Sequence, residues 1–284
     1  MTAPTTQRPT RSPVNTPAET WQSKVKLKGE GLPSRVILHG VEGVGKSSFS
    51  AFAPKPIFLM AHGETGLETL IDGGQVPETP HLPELMEWSE ALSAIDWLRN
   101  SEHDFRTLAI DTLNGIERLC HELICEREYG GEWGKQGFTS YMQGFEVSLG
   151  EWRRLLNALD RLRKERHMSI ICLCHSRVIT FKNPAGADYD RYTPAMHSKT
   201  WELTHRWADH VLFANFFVEV VSTDSKKPGK GKGGQDRVIY TQRHAAYDAK
   251  NRAGLPEEIS MGSSGAEAWH NFISALKAAR KGGE

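Results

Sequence analysis

The segment GVEGVGKSS, residues 40 to 48, has the residue types and spacing to hold a chain of phosphates. Gly40, Gly45, Lys46 and Ser47 fit the pattern G-x-x-x-x-G-K-[ST]. Glycines at Gly40, Gly43 and Gly45, with Val41, Glu42 and Val44 between them, let successive backbone N–H groups curl around phosphate oxygens without a Cβ in the way. The helix expected to start at Lys46, with Ser47 and Ser48 in its first turn, adds its positive end. Lys46 then reaches the β- and γ-phosphates and the Ser47 hydroxyl ligates Mg2+, so the ligands expected here are ATP and Mg2+.

A magnesium-positioning carboxylate belongs at the end of another apolar strand, and TLAIDT supplies Asp111 there, followed by Thr112. Because the residue after Asp111 is not Glu, the base that polarises the attacking water must come from elsewhere. Glu64, in AHGETG after the second apolar strand, is the candidate for that base, with Glu68 as a second contender. His175 ends the run SIICLCH and precedes Ser176 and Arg177; at a strand tip it is placed to hydrogen-bond the terminal phosphate or its water.

These side chains need a scaffold that brings several strand ends together. RVILHG (35–40), PIFLMA (56–61), FRTLAID (105–111) and SIICLCH (169–175) read as buried strands, alternating with helical stretches such as WSEALSAIDWLRN (88–100). Apolar strands of this kind predict an α/β fold whose mostly parallel central sheet is covered by helices on both faces. HVLFANFFVEVV and RVIYTQRHAAY predict a C-terminal β-hairpin joined by the Gly- and Lys-rich STDSKKPGKGKGGQD, and a final helix is expected from about Gly265 to Arg280. Half of the first 20 residues are Thr or Pro, which predicts a disordered arm over 1–24, ahead of a core over 25–262 and a C-terminal helix and tail over 263–284.

The 284 residues carry 35 basic and 35 acidic side chains, so any polyanion site must be local. The four cysteines form no C-x-x-C, and Cys172 and Cys174 alternate toward one face of a strand. With no apolar run long enough to span a bilayer, a cytoplasmic protein without a membrane partner is expected.

In this order the pieces resemble the RecA-like P-loop NTPase core, and the chain resembles the short phage recombinases of that superfamily, the ATP-dependent single-strand annealing proteins. The resemblance spans roughly residues 34 to 260 and rests on GVEGVGKSS, TLAIDT, IICLCHS, RWADHVLF and above all AKNRAGLP. The last is similar to the K-N-R-F-G element of RadA-type ATPases, with Ala253 in place of the aromatic residue. The resemblance implies that Lys250 and Arg252 reach the terminal phosphate bound by a neighbouring subunit, and that the protein is a homo-oligomeric ring or filament. It also implies that the two loops after the Asp111 helix and the His175 strand, the second a polar loop to about Lys199, face single-stranded DNA.

The first of these segments carries Trp133, Lys135, Phe138 and Tyr141; the second carries Arg177, Phe181, Lys182, Tyr189, Arg191, Tyr192 and Lys199. Cations for phosphates and rings for bases suit single strands read without sequence preference. The function implied is a DNA-stimulated ATPase acting in recombination or annealing, with a single-strand-binding protein as a further partner. A P-loop kinase, for which no arginine-rich lid is evident, and a nucleotide-gated loader or scaffold without annealing activity are the other readings.

Overall fold

A computed structural model describes residues 24–27, 29–221 and 230–281. The expected arm lies almost wholly outside the described residues, as do residues 222–229 of the Lys-rich connection between the last two long strands. The chain divides into two compact units, Met1–Leu32 and Pro33–Glu284. In the first, Val25 and Leu27 are exposed and Lys26 pairs with Glu30.

The second unit is built on one sheet. Its strands are β1 (Arg35–Gly40), β2 (Pro56–Met60), β3 (Thr107–Asp111), β4 (Ser169–Phe181), β5 (Tyr189–Pro194), β6 (His210–Val221), β7 (Lys230–Tyr240) and β8 (Glu258–Ser260). Its helices are α1 (Lys46–Ala51), α2 (Gly66–Asp72), α3 (Trp88–Asn100), α4 (Leu113–Tyr129), α5 (Gln143–Arg166), α6 (Ser198–Trp207) and α7 (Gly265–Lys281). The strand order is β2-β3-β4-β1-β6-β7-β8. β2, β3, β4, β1 and β6 run parallel, and β7 and β8 add antiparallel edges. This is the α/β arrangement expected from the sequence.

Apolar residues occupy consecutive positions within the parallel strands because both faces are covered. Ile37, Leu59, Ile110, Ile170, Cys172 and Val211 face a layer containing Trp88, Ile95, Ile116, Trp152 and Leu155 of α3, α4 and α5. Their sequence neighbours Leu38, Met60, Ala109, Ile171 and Leu212 face Phe49 of α1, Leu67 of α2 and Phe272 of α7. Cys172 and Cys174 do share one buried face, as free thiols.

Three expectations need correction. The polar loop expected from Ser176 to about Lys199 is largely a β-hairpin: β4 runs on to Phe181 and pairs antiparallel with β5, from Ser176↔Pro194 to Phe181↔Tyr189. Val178, Ile179 and Thr180 are β-branched, and extended pairing suits them better than a loop does. The C-terminal helix, expected as a separate segment, packs into the core, where the Phe49 ring meets those of Trp269 and Phe272 edge-on at 5.2 and 5.5 Å. Phe138, expected among the exposed rings, is fully buried against Ile124 and Cys125. Among the described residues no helix is long and apolar enough to cross a membrane.

At the sheet edge where β1 begins, Asp209 binds Arg35 through its main-chain N–H (3.0 Å) and its guanidinium (2.9 Å), and it also takes Arg163 at 3.4 Å. Burial pushes the Asp209 carboxyl up, but the Arg35 hydrogen bonds and the Arg35 and Arg163 charges outweigh it and hold the pKa at about 2. A carboxylate depressed in the folded state stabilises above its unfolded pKa, and the benefit is lost as pH falls through the folded value. Asp209→Asn should therefore lower stability by about 2 kcal/mol at neutral pH. In urea unfolding the difference from the parent should shrink between about pH 4 and pH 2; a pH-independent difference would show that the ion pairs are not its source.

Candidate active site

The parallel register delivers the strand ends that carry chemistry to one edge of the sheet. Gly40 lies opposite His175, and Met60 opposite Asp111. Residues 41–45 then turn from β1 into α1, with Gly45 at φ 98° just before the helix. A side chain is strained at that φ, and a Cβ there would also come within 2.7 Å of the Arg237 guanidinium. At Gly40 a Cβ would lie 2.3 Å from the Ala214 carbonyl oxygen, so the strand can pack against β6 only as glycine.

Lys46 is only 8% exposed, and its Nζ donates to the Gly40 and Val41 carbonyls at 3.1 and 3.0 Å. Burial lowers its pKa, with the Asp111 charge opposing. The Ser47 hydroxyl donates to Asp111 Oδ2 at 2.6 Å. Burial raises the Asp111 pKa to about 6, against the Ser47 hydrogen bond and with the help of the Glu64 charge. Its peptide bond to Thr112 is cis.

One buried carboxylate and one hydroxyl form an oxygen donor set suited to Mg2+, which keeps waters and shares substrate phosphates instead of sitting in a protein cage.

Glu64 sits in the turn between β2 and α2. Its Oε1 accepts from the Thr112 hydroxyl at 2.8 Å and lies 3.3 Å from His175 Nε2. The His175 bond outweighs burial and lowers the Glu64 pKa, and the same bond raises that of His175. Glu64 is thus ionised and fixed beside Asp111, whereas Glu68 lies 3.5 Å from His81 Nε2 and is half exposed. Of the two glutamates, Glu64 is the one brought to the Asp111–His175 group.

Two neighbours were not singled out by the sequence. Asn114, in the first turn of α4, accepts the His175 main-chain N–H at 3.0 Å and fixes the strand tip. Arg237 of β7 donates to Gly262 O at 2.9 Å and reaches Val44 O at 3.4 Å, beside the phosphate loop. Asn114 follows Asp111 closely enough for helix geometry to suggest it, but nothing local marks an arginine almost two hundred residues from the loop it touches.

Lys250 and Arg252 lie elsewhere. The Lys250 backbone exchanges hydrogen bonds with Val211 (2.7 and 2.8 Å), and its Nζ donates to His205 O. Arg252 donates to Arg206 O at 3.1 Å and to Asp209 at 3.3 Å. Asp209 is bonded to Arg35, and from there to Gly40 the strand rises five residues at about 3.3 Å each, or about 16 Å. Arg252 therefore sits toward the opposite edge of the sheet from its own phosphate loop, whereas Lys250 pairs with Val211, level with Ile37 in the middle of β1, and sends its ammonium to the end of α6.

The residues expected at DNA divide as well. Lys135 is exposed, and Lys182 is exposed at the hairpin end, 2.5 Å from Asp188. Lys199 pairs with Glu146, and Phe181 lies against Tyr189. Arg177 is exposed but donates to Met196 O at 2.7 Å. Arg191 and Tyr192 are turned inward: Arg191 donates to Tyr247 O and Asp248, and Tyr192 stacks on Phe213 at 5.0 Å. The turn before α5 exposes Tyr141 almost completely.

The sequence profile described as AAA domain matches residues 32–253, from just before β1 to just past Arg252. A crystal structure of the RadB recombinase aligns over 84% of this chain and 90% of that chain, at 12% identity and a TM-score of 0.44. No curated protein matches the chain.

The Glu64–His175 pair can be tested without any ligand. Glu64→Gln removes the charge that raises the His175 pKa, so NMR titration of the imidazole should show it falling. An unchanged titration would mean that the two side chains are not paired in solution.

Proposed function

The chain belongs to the AAA domain family, and from that premise we propose that it is an oligomeric ATPase coupled to single-stranded DNA, acting in recombination or annealing, with each ATP site completed by a neighbouring subunit. One observation carries the shared site: the Lys250 and Arg252 side chains are held by the His205 and Arg206 carbonyls at the end of α6, and neither bonds a residue of its own phosphate loop. If these cations meet a terminal phosphate, it is another subunit's. A cation delivered across a boundary makes turnover depend on assembly.

Within the subunit the chemistry divides among named groups. The loop N–H groups and Lys46 bind the phosphates. Ser47 and Asp111 are the residues that would hold Mg2+, which when bound neutralises charge on the phosphate oxygens. Glu64, ionised and oriented by Thr112 and His175, accepts the proton of the water whose oxygen bonds to the terminal phosphorus. The bond from that phosphorus to the bridging oxygen breaks, and ADP leaves with the electron pair. The imidazole of His175 reports on the same water through Glu64.

The DNA surface in this reading is the end of the β4–β5 hairpin with the turn before α5, where Lys135, Lys182 and Tyr141 are exposed. Arg191 and Tyr192 support that hairpin from beneath.

A mixing experiment tests the shared site. A Lys250→Ala, Arg252→Ala subunit keeps its phosphate loop, and a Lys46→Ala subunit keeps its cations. Each alone should lose hydrolysis, by on the order of 10³-fold for the cation pair. Mixed, with assembly verified by mass, they should partly recover; an assembled but inactive mixture, or normal turnover by the cation mutant alone, would refute the shared site. Separately, Lys135→Ala with Lys182→Ala should weaken single-stranded DNA binding and reduce the slope of log K against log salt by about 0.7 for each lost contact. Unaltered affinity and slope would remove this surface from DNA binding.

A further inference from the structure

A second basic cleft is lined by no residue of the phosphate loop. It has a volume of about 530 Å³ and is lined by Arg191, His205, Gln242, Arg243, Asp248 and Lys250. Three of these side chains are cations and one is a carboxylate, and the carboxylate is already engaged. Asp248 accepts from Arg191 at 3.3 Å and from Trp201 Nε1 at 2.8 Å. The remaining positive charge has no anion within the cleft.

Lys250 stands on a rigid ledge. Residues 246–250 are laced between two strands: Tyr192 donates to Ala246 O at 2.7 Å, Asp248 to Tyr192 O at 3.0 Å, and Lys250 to Val211 O at 2.8 Å. Beneath them the rings of Tyr247, Phe213 and Tyr192 pack face to face at about 5 Å. Arg191 is nine-tenths buried, and its Nε has no hydrogen-bond partner. Arg243 is exposed and has no partner among the described residues. Cations lining one cleft repel one another, and an anionic ligand relieves that repulsion.

We propose that this cleft is a phosphate-oxyanion site in which Arg243 and Arg191 act together with Lys250. Its ligand is a phosphate group, either of a neighbouring subunit's nucleotide or of the single-stranded DNA backbone. For the first source the proposal rests on the shared-site reading above and extends the pair Lys250 and Arg252 by Arg243; the cleft itself is independent of that reading. Lys250 fits the role, since burial and then the Arg252 charge lower its pKa to about 8, and an anion beside it would raise it again.

The direct test uses inorganic tripolyphosphate and the Lys46→Ala protein, whose phosphate loop lacks its lysine. Calorimetric titration should show binding that Arg243→Ala weakens about tenfold or more, with partial recovery in Arg243→Lys. Because Arg243 is exposed, the melting temperature should not change. Tripolyphosphate affinity unaffected by Arg243→Ala overturns the site, whether or not the protein hydrolyses ATP. If affinity falls, two further measurements on otherwise wild-type protein carrying Arg243→Ala identify the source. Lost hydrolysis in the assembled protein at unchanged DNA affinity assigns the cleft to a neighbour's nucleotide. Weakened DNA binding with a shallower salt slope assigns it to the DNA backbone.

Discussion

The hydrogen bond from Ser47 to Asp111, 2.6 Å long between residues 64 apart, is the contact on which the rest of the site depends. It requires the turn after β1 and the tip of β3 to meet, although β4 lies between those strands in the sheet. The parallel pairings from β1 through β4 to β3 set how far each tip projects. Slipping one pairing by a single residue would move a tip by about 3.3 Å and turn its side chains to the other face. Because both faces are buried, such a slip would also put every apolar residue of the strand out of its layer. The packing of Leu38, Ile110 and Ile171 is therefore what fixes the distance between a hydroxyl and a carboxylate at the sheet edge.

Three ionisable groups at that edge are shifted in ways that match different tasks. Burial disfavours charge on Lys46 and on Asp111, lowering the one and raising the other. In the proposed reading the ligands that would favour both charged forms are a phosphate for the lysine and a metal cation for the carboxylate. Glu64 is treated oppositely, since His175 and Thr112 keep it ionised.

How much of this was legible in the sequence depended on whether a signal was local. The phosphate loop, the strand ending in Asp111 and the helix over 88–100 could be read because spacing and apolar runs are properties of adjacent residues. Glu64 and Glu68 could not be separated, since the choice is made by Thr112 and His175, which reach that turn from β3 and β4. The β4–β5 hairpin was read as a loop because its charged and polar residues hid the pairing of Val178 and Ile179. Phe138 and Tyr192 looked like rings for DNA, but an aromatic residue in a loop says nothing of which way it turns. Arg237 had no local signature, because the carbonyl it approaches belongs to the loop near the other end of the chain.

The resting places of Lys250 and Arg252 bear on what can draw them out. α6 ends with the carbonyls of His205 and Arg206, which have no later helical N–H to bond. These are the oxygens that Lys250 and Arg252 take, so one arrangement satisfies the helix end and holds the two cations. Neither hold is strong against a full negative charge. The Arg252 pairing with Asp209 is half exposed and screened by water, and a carbonyl offers only a partial charge. A phosphate oxygen makes shorter and stronger charge-assisted hydrogen bonds than either. In the shared-site proposal the two side chains would exchange these acceptors for a neighbour's phosphate, while the Lys250 backbone stays paired with Val211.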